Sequence, residues 1–292
     1  MNGAPGLDAC IRLMRPHHWS KNAIVLAGLV FSGQATDPAA LLRALVAVVA
    51  FCIVSSAIYA FNDWHDRAED RLHPIKCIRP VASGAISPSL ALAFGGLLFL
   101  AACSIALLIS PRLAVVIVIY AILMLAYTLW FRRIAILDVL TIAAGFVLRA
   151  LAGAVAVSVP LSIWLFICTL LLALMLGLGK RRSELKELGG QTEHRRPSLA
   201  GYARFDLDRL MMGIAFLTAG AYLLYSLAVP TFGRELPMLL TMPFVLVAIG
   251  RYLYLVFRHN LGGSPELLLI RDRPLFFSII AWSAATGIVL VS

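Results

Sequence analysis

The chain has 292 residues, of which 61% are hydrophobic and only 14% charged, and Lys+Arg 25 against Asp+Glu 15 leaves a net charge of +10. Soluble domains carry about 25% charged residues, and one globule of this length cannot bury so much apolar surface, so part of it must face lipid. An ordinary cytosolic enzyme, a disordered chain and a small disulfide scaffold are excluded, and no basic stripe interleaved with aromatics points to a nucleic-acid partner.

A membrane span needs about 20 predominantly apolar residues. In chain order the apolar runs fall at 19–34, 41–61, 88–108, 113–130, 135–157, 161–179, 210–229, 236–257 and 274–291. They are continuously apolar rather than alternating at period two, which predicts helices and not barrel strands. The expected fold is therefore all-α, a polytopic membrane bundle of about nine transmembrane helices. It forms one integral membrane domain over 1–292, with polar motif loops at about 62–87 and 180–209. The segment from Met1 to Lys21 has no early apolar core and no small-residue cleavage site, so no removable signal peptide is expected. Five scattered cysteines show neither CxxC nor Cys/His spacing and support neither a disulfide framework nor a zinc site.

Charge placement supplies an independent test of this topology. Of the 25 basic residues, 20 lie in the N-terminus, at 67–79, 132–133, 180–209 or 258–273, all on one side if nine spans cross. The positive-inside rule places that side in the cytoplasm, with the chain in the inner (plasma) membrane, the N-terminus cytoplasmic and Ser292 outside. The apolar span surfaces are compatible with a homo-oligomer.

The segment from Asn62 to Arg71 carries the densest chemistry. Asp63, Asp66 and Asp70 follow an i, i+3, i+7 spacing, which puts them within about 60° of one another on a continuous helix. Three converging carboxylates repel unless a cation neutralises them, and hard oxygen donors suit Mg²⁺ carrying substrate phosphate. His65 is expected to point away from that face. Arg67, Arg71, Lys76 and Arg79 follow at once, with Pro74 and Pro80 stiffening the loop, and guanidinium forks match phosphate oxygens. Two ionisable residues lie inside the fifth run. Asp138 and Arg149 are 11 positions apart, nearly on one face and about 16 Å apart along the axis. Each could wall a cavity or make an ion pair between spans; both readings stay open for Arg149, and the ion pair is the preferred one for Asp138. Trp19, Trp64, Trp130 and Tyr127 sit at predicted span ends, where aromatic side chains anchor to the interface. Glu184 is spaced to pair with Lys180 at i+4, or to reach a sugar hydroxyl.

The run NDWHDRAEDRLHPIKCIRPVASG, from Asn62 to Gly84, resembles the first aspartate-rich motif of the UbiA prenyltransferase superfamily. Arg15–Asn22 (RPHHWSKN), Tyr127–Val139, Gly145–Gly153 and Gly179–Leu185 resemble the branch that transfers phosphoribose to a polyprenyl phosphate. The likeness is carried by residues 12–190 and is weak over 210–292. It implies a nine-span bundle with a magnesium-dependent cavity on the cytoplasmic side, with Asp63, Asp66 and Asp70 as metal ligands. Lys21, Asn62, Arg67, Lys76, Arg79, Tyr127, Arg149, Lys180, Arg181 and Glu184 would then contact substrate. The implied reaction moves 5-phosphoribose from phosphoribosyl diphosphate to decaprenyl phosphate, releases diphosphate and serves synthesis of a lipid-linked arabinose donor. Aromatic-prenylating members carry a second aspartate-rich motif after span six, where this chain has Lys180-Arg181-Arg182-Ser183-Glu184. A substrate rich in phosphates needs such cationic partners. The alternative is a prenyltransferase that moves a prenyl group from its diphosphate to a small acceptor.

Overall fold

The computed structural model describes residues 6–188, 197–228 and 237–291, and among them there is no β-strand. Among the described residues eight helices are long and apolar enough to cross a membrane. They are α3 (Pro38–His65), α5 (Pro88–Ile109), α6 (Pro111–Leu129), α7 (Leu137–Ala156), α8 (Ile163–Leu188), α10 (Leu207–Ala228), α11 (Met242–His259) and α13 (Arg273–Val291). Between and before them lie the short helices α1 (Leu7–Met14), α2 (Ala27–Phe31), α4 (Arg67–Leu72), α9 (Pro197–Tyr202) and α12 (Pro265–Arg271).

The expected first span, 19–34, is the point of difference. Pro16–Leu26 is wound as a 3-10 helix and only Ala27–Phe31 is α-helical, so the expectation of nine long helices is corrected to eight. The polar residues His17, His18, Ser20, Lys21 and Asn22 crowd the start of this stretch and leave it no long apolar window. A 3-10 helix rises about 2.0 Å per residue against 1.5 Å for an α-helix, so the stretch still covers about 30 Å.

Local sequence signals place the helix starts. Asp37 caps α3 by accepting from the Ala39 N–H at 2.9 Å, and Ser87 caps α5 by accepting from Leu90 at 3.3 Å. Each cap is followed by a proline, whose missing N–H costs nothing in the first turn.

The chain divides into two compact units. The first comprises 1–29, 34–128 and 151–159, and the second 30–33, 129–150 and 160–292. In the first unit α3 packs along α5, the 3-10 helix and α1. Small residues permit this closeness: Ala40, Ala44, Ala47, Ala50 and Ala60 of α3 are fully buried. Tightest is the crossing at Gly153, where a Cβ would lie 1.8 Å from the Val25 carbonyl oxygen. In the second unit α8 packs on α10, and α11 on α13, around Met175, Met211, Tyr252, Val256 and Leu275. Outward faces carry exposed leucines and phenylalanines such as Leu97, Leu108, Phe216 and Phe277, as lipid-facing helices require.

Gly153→Ala should lower thermal stability in detergent by about 3 kcal/mol or more, because the new methyl group meets a backbone oxygen that cannot rotate away. Gly96→Ala, where nothing stands within 4 Å of the added carbon, should leave the melting temperature unchanged or slightly raised.

Candidate active site

The first unit holds a cluster of mixed charge at the end of α3. Asp63 is 1% exposed and Asp70 is 3% exposed, and carboxylates so deep require cations. Arg79 supplies one, with Nη1 2.6 Å from Asp70 Oδ2 and 3.8 Å from Asp63 Oδ1. Arg15 supplies the other and donates to Asp63 Oδ1. It reaches α3 because it closes α1 in the left-handed conformation (φ 52°), and its guanidinium lies 5.0 Å from the centre of the Tyr59 ring. Asp63 Oδ2 is buried and has no hydrogen-bond partner.

The three aspartates do not share one helical face as expected. The helix bends at Asp66 (φ −87°, ψ 1°), which separates α3 from α4. Asp66 turns to His65, whose Nδ1 lies 2.8 Å from its Oδ1. Among the described residues no three His, Cys, Asp or Glu side chains stand close enough to hold a metal ion. The donor chemistry nonetheless fits a hard cation: Asp63 and Asp70 are buried oxygen donors, and Asp63 keeps one oxygen unpartnered.

Around this cluster the other predicted residues take distinct places. Asn62 accepts from the buried Thr128 hydroxyl at 2.6 Å, which ties α3 to α6. Arg67 folds back on its own helix end and donates to the Trp64 carbonyl at 2.7 Å. Arg71 donates to the Ala82 carbonyl at 3.2 Å and closes the loop that carries Arg79. Lys76 is exposed on that loop, while Lys21 and Tyr127 are half-buried. Trp19, read as an interfacial anchor, donates from Nε1 to Ser56 at 3.1 Å. Trp130 is exposed at the end of α6, as an interfacial aromatic should be.

The second unit contains a different charged group. Asp138, fully buried at the start of α7, pairs across to α8, where Arg181 Nε lies 2.9 Å from its Oδ2. This is the ion pair between spans expected for Asp138. The Tyr202 hydroxyl donates to the same carboxylate and accepts from the Ile136 N–H at 2.8 Å. Burial, and then the bond to Asp138, push the Tyr202 phenol well above its ordinary value, so it stays a donor. Arg181 Nη1 also donates to Glu184 at 2.5 Å, an i, i+3 pairing in addition to the i+4 spacing that links Glu184 with Lys180. Arg182 is buried too, bonded to Asp208 and to the Val256 carbonyl at 2.7 Å. Lys180 is half-buried on the same turn. Arg149 is 6% exposed, and its Nη1 donates to the Gly145 carbonyl at 3.0 Å. Glu193 and His194, in the expected loop at 180–209, lie outside the described residues.

The UbiA prenyltransferase family model matches residues 22–289. The chain belongs to the UbiA prenyltransferase family. It is a membrane-bound transferase. It is 31% identical to the decaprenyl-phosphate phosphoribosyltransferase of Mycolicibacterium smegmatis, across 96% of this chain and 92% of that one. Identity to the enzyme of the same name from Mycobacterium tuberculosis (strain CDC 1551 / Oshkosh) is also 31%, across 95% of this chain and 92% of the relative. The fold matches that of a UbiA homolog from Archaeoglobus fulgidus bound to GPP and Mg²⁺, with a TM-score of 0.74. That match has 18% identity and covers 97% of this chain and 99% of the other.

Sequence reasoning passed over Arg15 and Tyr202. Arg15 stood inside the RPHHWSKN motif, but nothing in its spacing pointed at Asp63. Tyr202 carried no signal beyond a lone aromatic in a polar loop.

Arg181→Ala should destabilise the protein by about 3–5 kcal/mol, since it strands a buried Asp138 carboxylate. Lys186→Ala, exposed near the end of α8, should change stability by no more than about 0.5 kcal/mol, as for most surface substitutions. Thermal melts of both variants in one detergent check the contrast.

Proposed function

We propose that this enzyme transfers 5-phosphoribose from phosphoribosyl diphosphate to a polyprenyl phosphate, decaprenyl phosphate by analogy with its relatives, and releases diphosphate. The observation that carries the reading is the cluster of Asp63, Asp70, Arg15 and Arg79, which combines buried hard donors with paired guanidinium forks. A diphosphate that travels with a divalent cation needs both kinds of group. Likeness to the two phosphoribosyltransferases along nearly the whole chain supports the choice of sugar donor and lipid acceptor.

In this reading a phosphate oxygen of the lipid attacks the anomeric carbon, and the bond from that carbon to the diphosphate breaks, its electron pair leaving with the diphosphate. The nucleophile is already an anion at neutral pH, so no protein base is needed. Asp63 and Asp70 would hold Mg²⁺, and Asp66, turned to His65 at the bend, is a metal ligand by resemblance. Bound Mg²⁺ supplies charge neutralisation to the leaving diphosphate. Arg15 and Arg79 bind and orient diphosphate oxygens bidentately. Asn62, fixed by Thr128, sets the position of Asp63 on the last turn of α3. In the second unit Lys180 offers a cation to a phosphate, while Arg181, Arg182 and Glu184 hold the turn that presents it. Arg67, Lys76, Lys21, Tyr127 and Arg149 are substrate contacts by resemblance. The one-sided placement of basic residues supports a site on the cytoplasmic face of the inner membrane.

Purified protein mixed with Mg²⁺, radiolabelled phosphoribosyl diphosphate and a polyprenyl phosphate should yield a labelled lipid. Turnover only with a prenyl diphosphate and a small acceptor would overturn the assignment in favour of a prenyltransferase. Asp63→Asn should cut turnover at least about 100-fold, equivalent to about 2.7 kcal/mol of barrier, and raise the Mg²⁺ concentration needed for half-maximal rate. Wild-type kinetics in that variant would remove Asp63 from the metal site.

A further inference from the structure

The second unit carries a cavity that the proposed chemistry does not use. Asn260 closes α11 in the left-handed conformation (φ 55°), and a 3-10 turn, Leu261–Gly263, leads into α12. That turn is fastened to α8. Ser183 Oγ donates to the Asn260 carbonyl at 3.2 Å and accepts from the Gly262 N–H at 2.9 Å. Gly262 approaches so closely that a Cβ would lie 2.4 Å from the Gly179 carbonyl oxygen, so only glycine fits there. The turn, the end of α8 and α12 enclose about 380 Å³, with Glu187, Asn260, Ser264, Leu267, Arg271 and Asp272 among the lining residues.

The charges on this wall are specific. Asp272 is already neutralised by Arg251, at 2.8 and 3.1 Å, and those bonds hold its carboxyl below the usual carboxylate range. Glu187 and Arg271 remain, opposite in sign, and neither forms an ion pair with any described residue. Asn260 Oδ1 is buried without a hydrogen-bond partner.

We propose that this cavity binds a zwitterionic amine phosphate, the head group of an ethanolamine phospholipid, with its ammonium on Glu187 and Asn260 and its phosphate on Arg271 and Ser264. A lone anion would face Glu187 uncompensated, and a lone cation would face Arg271. A choline head has no N–H to offer and would leave the Asn260 oxygen unpartnered. The site lies where α11 ends and α13 begins, at the level where head groups meet spans. Leu261 and Leu267, 49% and 47% exposed, give apolar surface for the glyceride chains. Both features favour a lipid over a soluble amine phosphate.

Native mass spectrometry of the full-length protein tests this, with dioleoyl phosphatidylethanolamine, phosphatidylcholine and phosphatidylglycerol as probes and free phosphoethanolamine as competitor. The ethanolamine lipid should bind about tenfold tighter than either other lipid, the size of one charge-assisted hydrogen bond. Glu187→Gln and Arg271→Gln should each reduce its retention about tenfold to the level of the other lipids, while Arg209→Gln, on an exposed turn, should not. Equal retention of the three lipids, or a preference for phosphatidylglycerol, would overturn the proposal without any variant. Unchanged binding in both pocket variants would do the same. Displacement of the lipid by an equal concentration of free phosphoethanolamine would overturn the lipid source and assign the cavity to a soluble ligand.

Discussion

Carboxylates buried at the ends of membrane helices must be neutralised, and much of this protein is arranged around that requirement. Asp63 and Asp138 are almost wholly buried, where a free carboxylate would lose its protonation state or unfold its surroundings. The first is met by Arg15 and Arg79, the second by Arg181. Each of these arginines comes from a segment remote in sequence from its aspartate, so each pair also ties two segments together. Arg15 fixes the end of α1 on α3, Arg79 folds the loop after α4 back onto the same helix, and Arg181 joins α8 to α7.

The pairs differ in what they can do next. Arg181 is 2% exposed and is engaged by Asp138 and Glu184 together, so its guanidinium is committed to the fold. Arg15 and Arg79 are more open, at 16% and 25%. In the proposed reaction a phosphate-bearing ligand would reach them, and the carboxylates they release would turn to a cation. The same chemical pair is thus closed off in one unit and partly open in the other.

Hydropathy revealed the long helices because lipid imposes one uniform demand on every span. It marked the run 19–34 but not its winding, because a 3-10 helix is invisible in a hydropathy pattern. The acidic motif was legible as carboxylates in need of cations, which Arg15 and Arg79 supply, yet the bend at Asp66 defeats any angle computed on a continuous helix. That bend is a backbone event at a residue whose side chain gives no warning of it. The basic run at 180–182 was legible as charge but not as function. Burial decides which of its members faces a ligand, and burial depends on Asp138 and Asp208, which lie far off in sequence.

The replacement of a second acidic motif by Lys180-Arg181-Arg182 therefore reads differently once the side chains are placed. Two of the three arginine and lysine charges are spent inside the second unit, on Asp138 and Asp208. What the structure shows at that position is a rigid turn whose two arginines are committed to carboxylates of the second unit. Ser183, on the same turn, is fully buried and holds the loop after α11 by two hydrogen bonds. A turn so fixed holds the backbone of Lys180 in place, and in the proposed reaction a cation on a fixed backbone would orient a phosphate better than a mobile one.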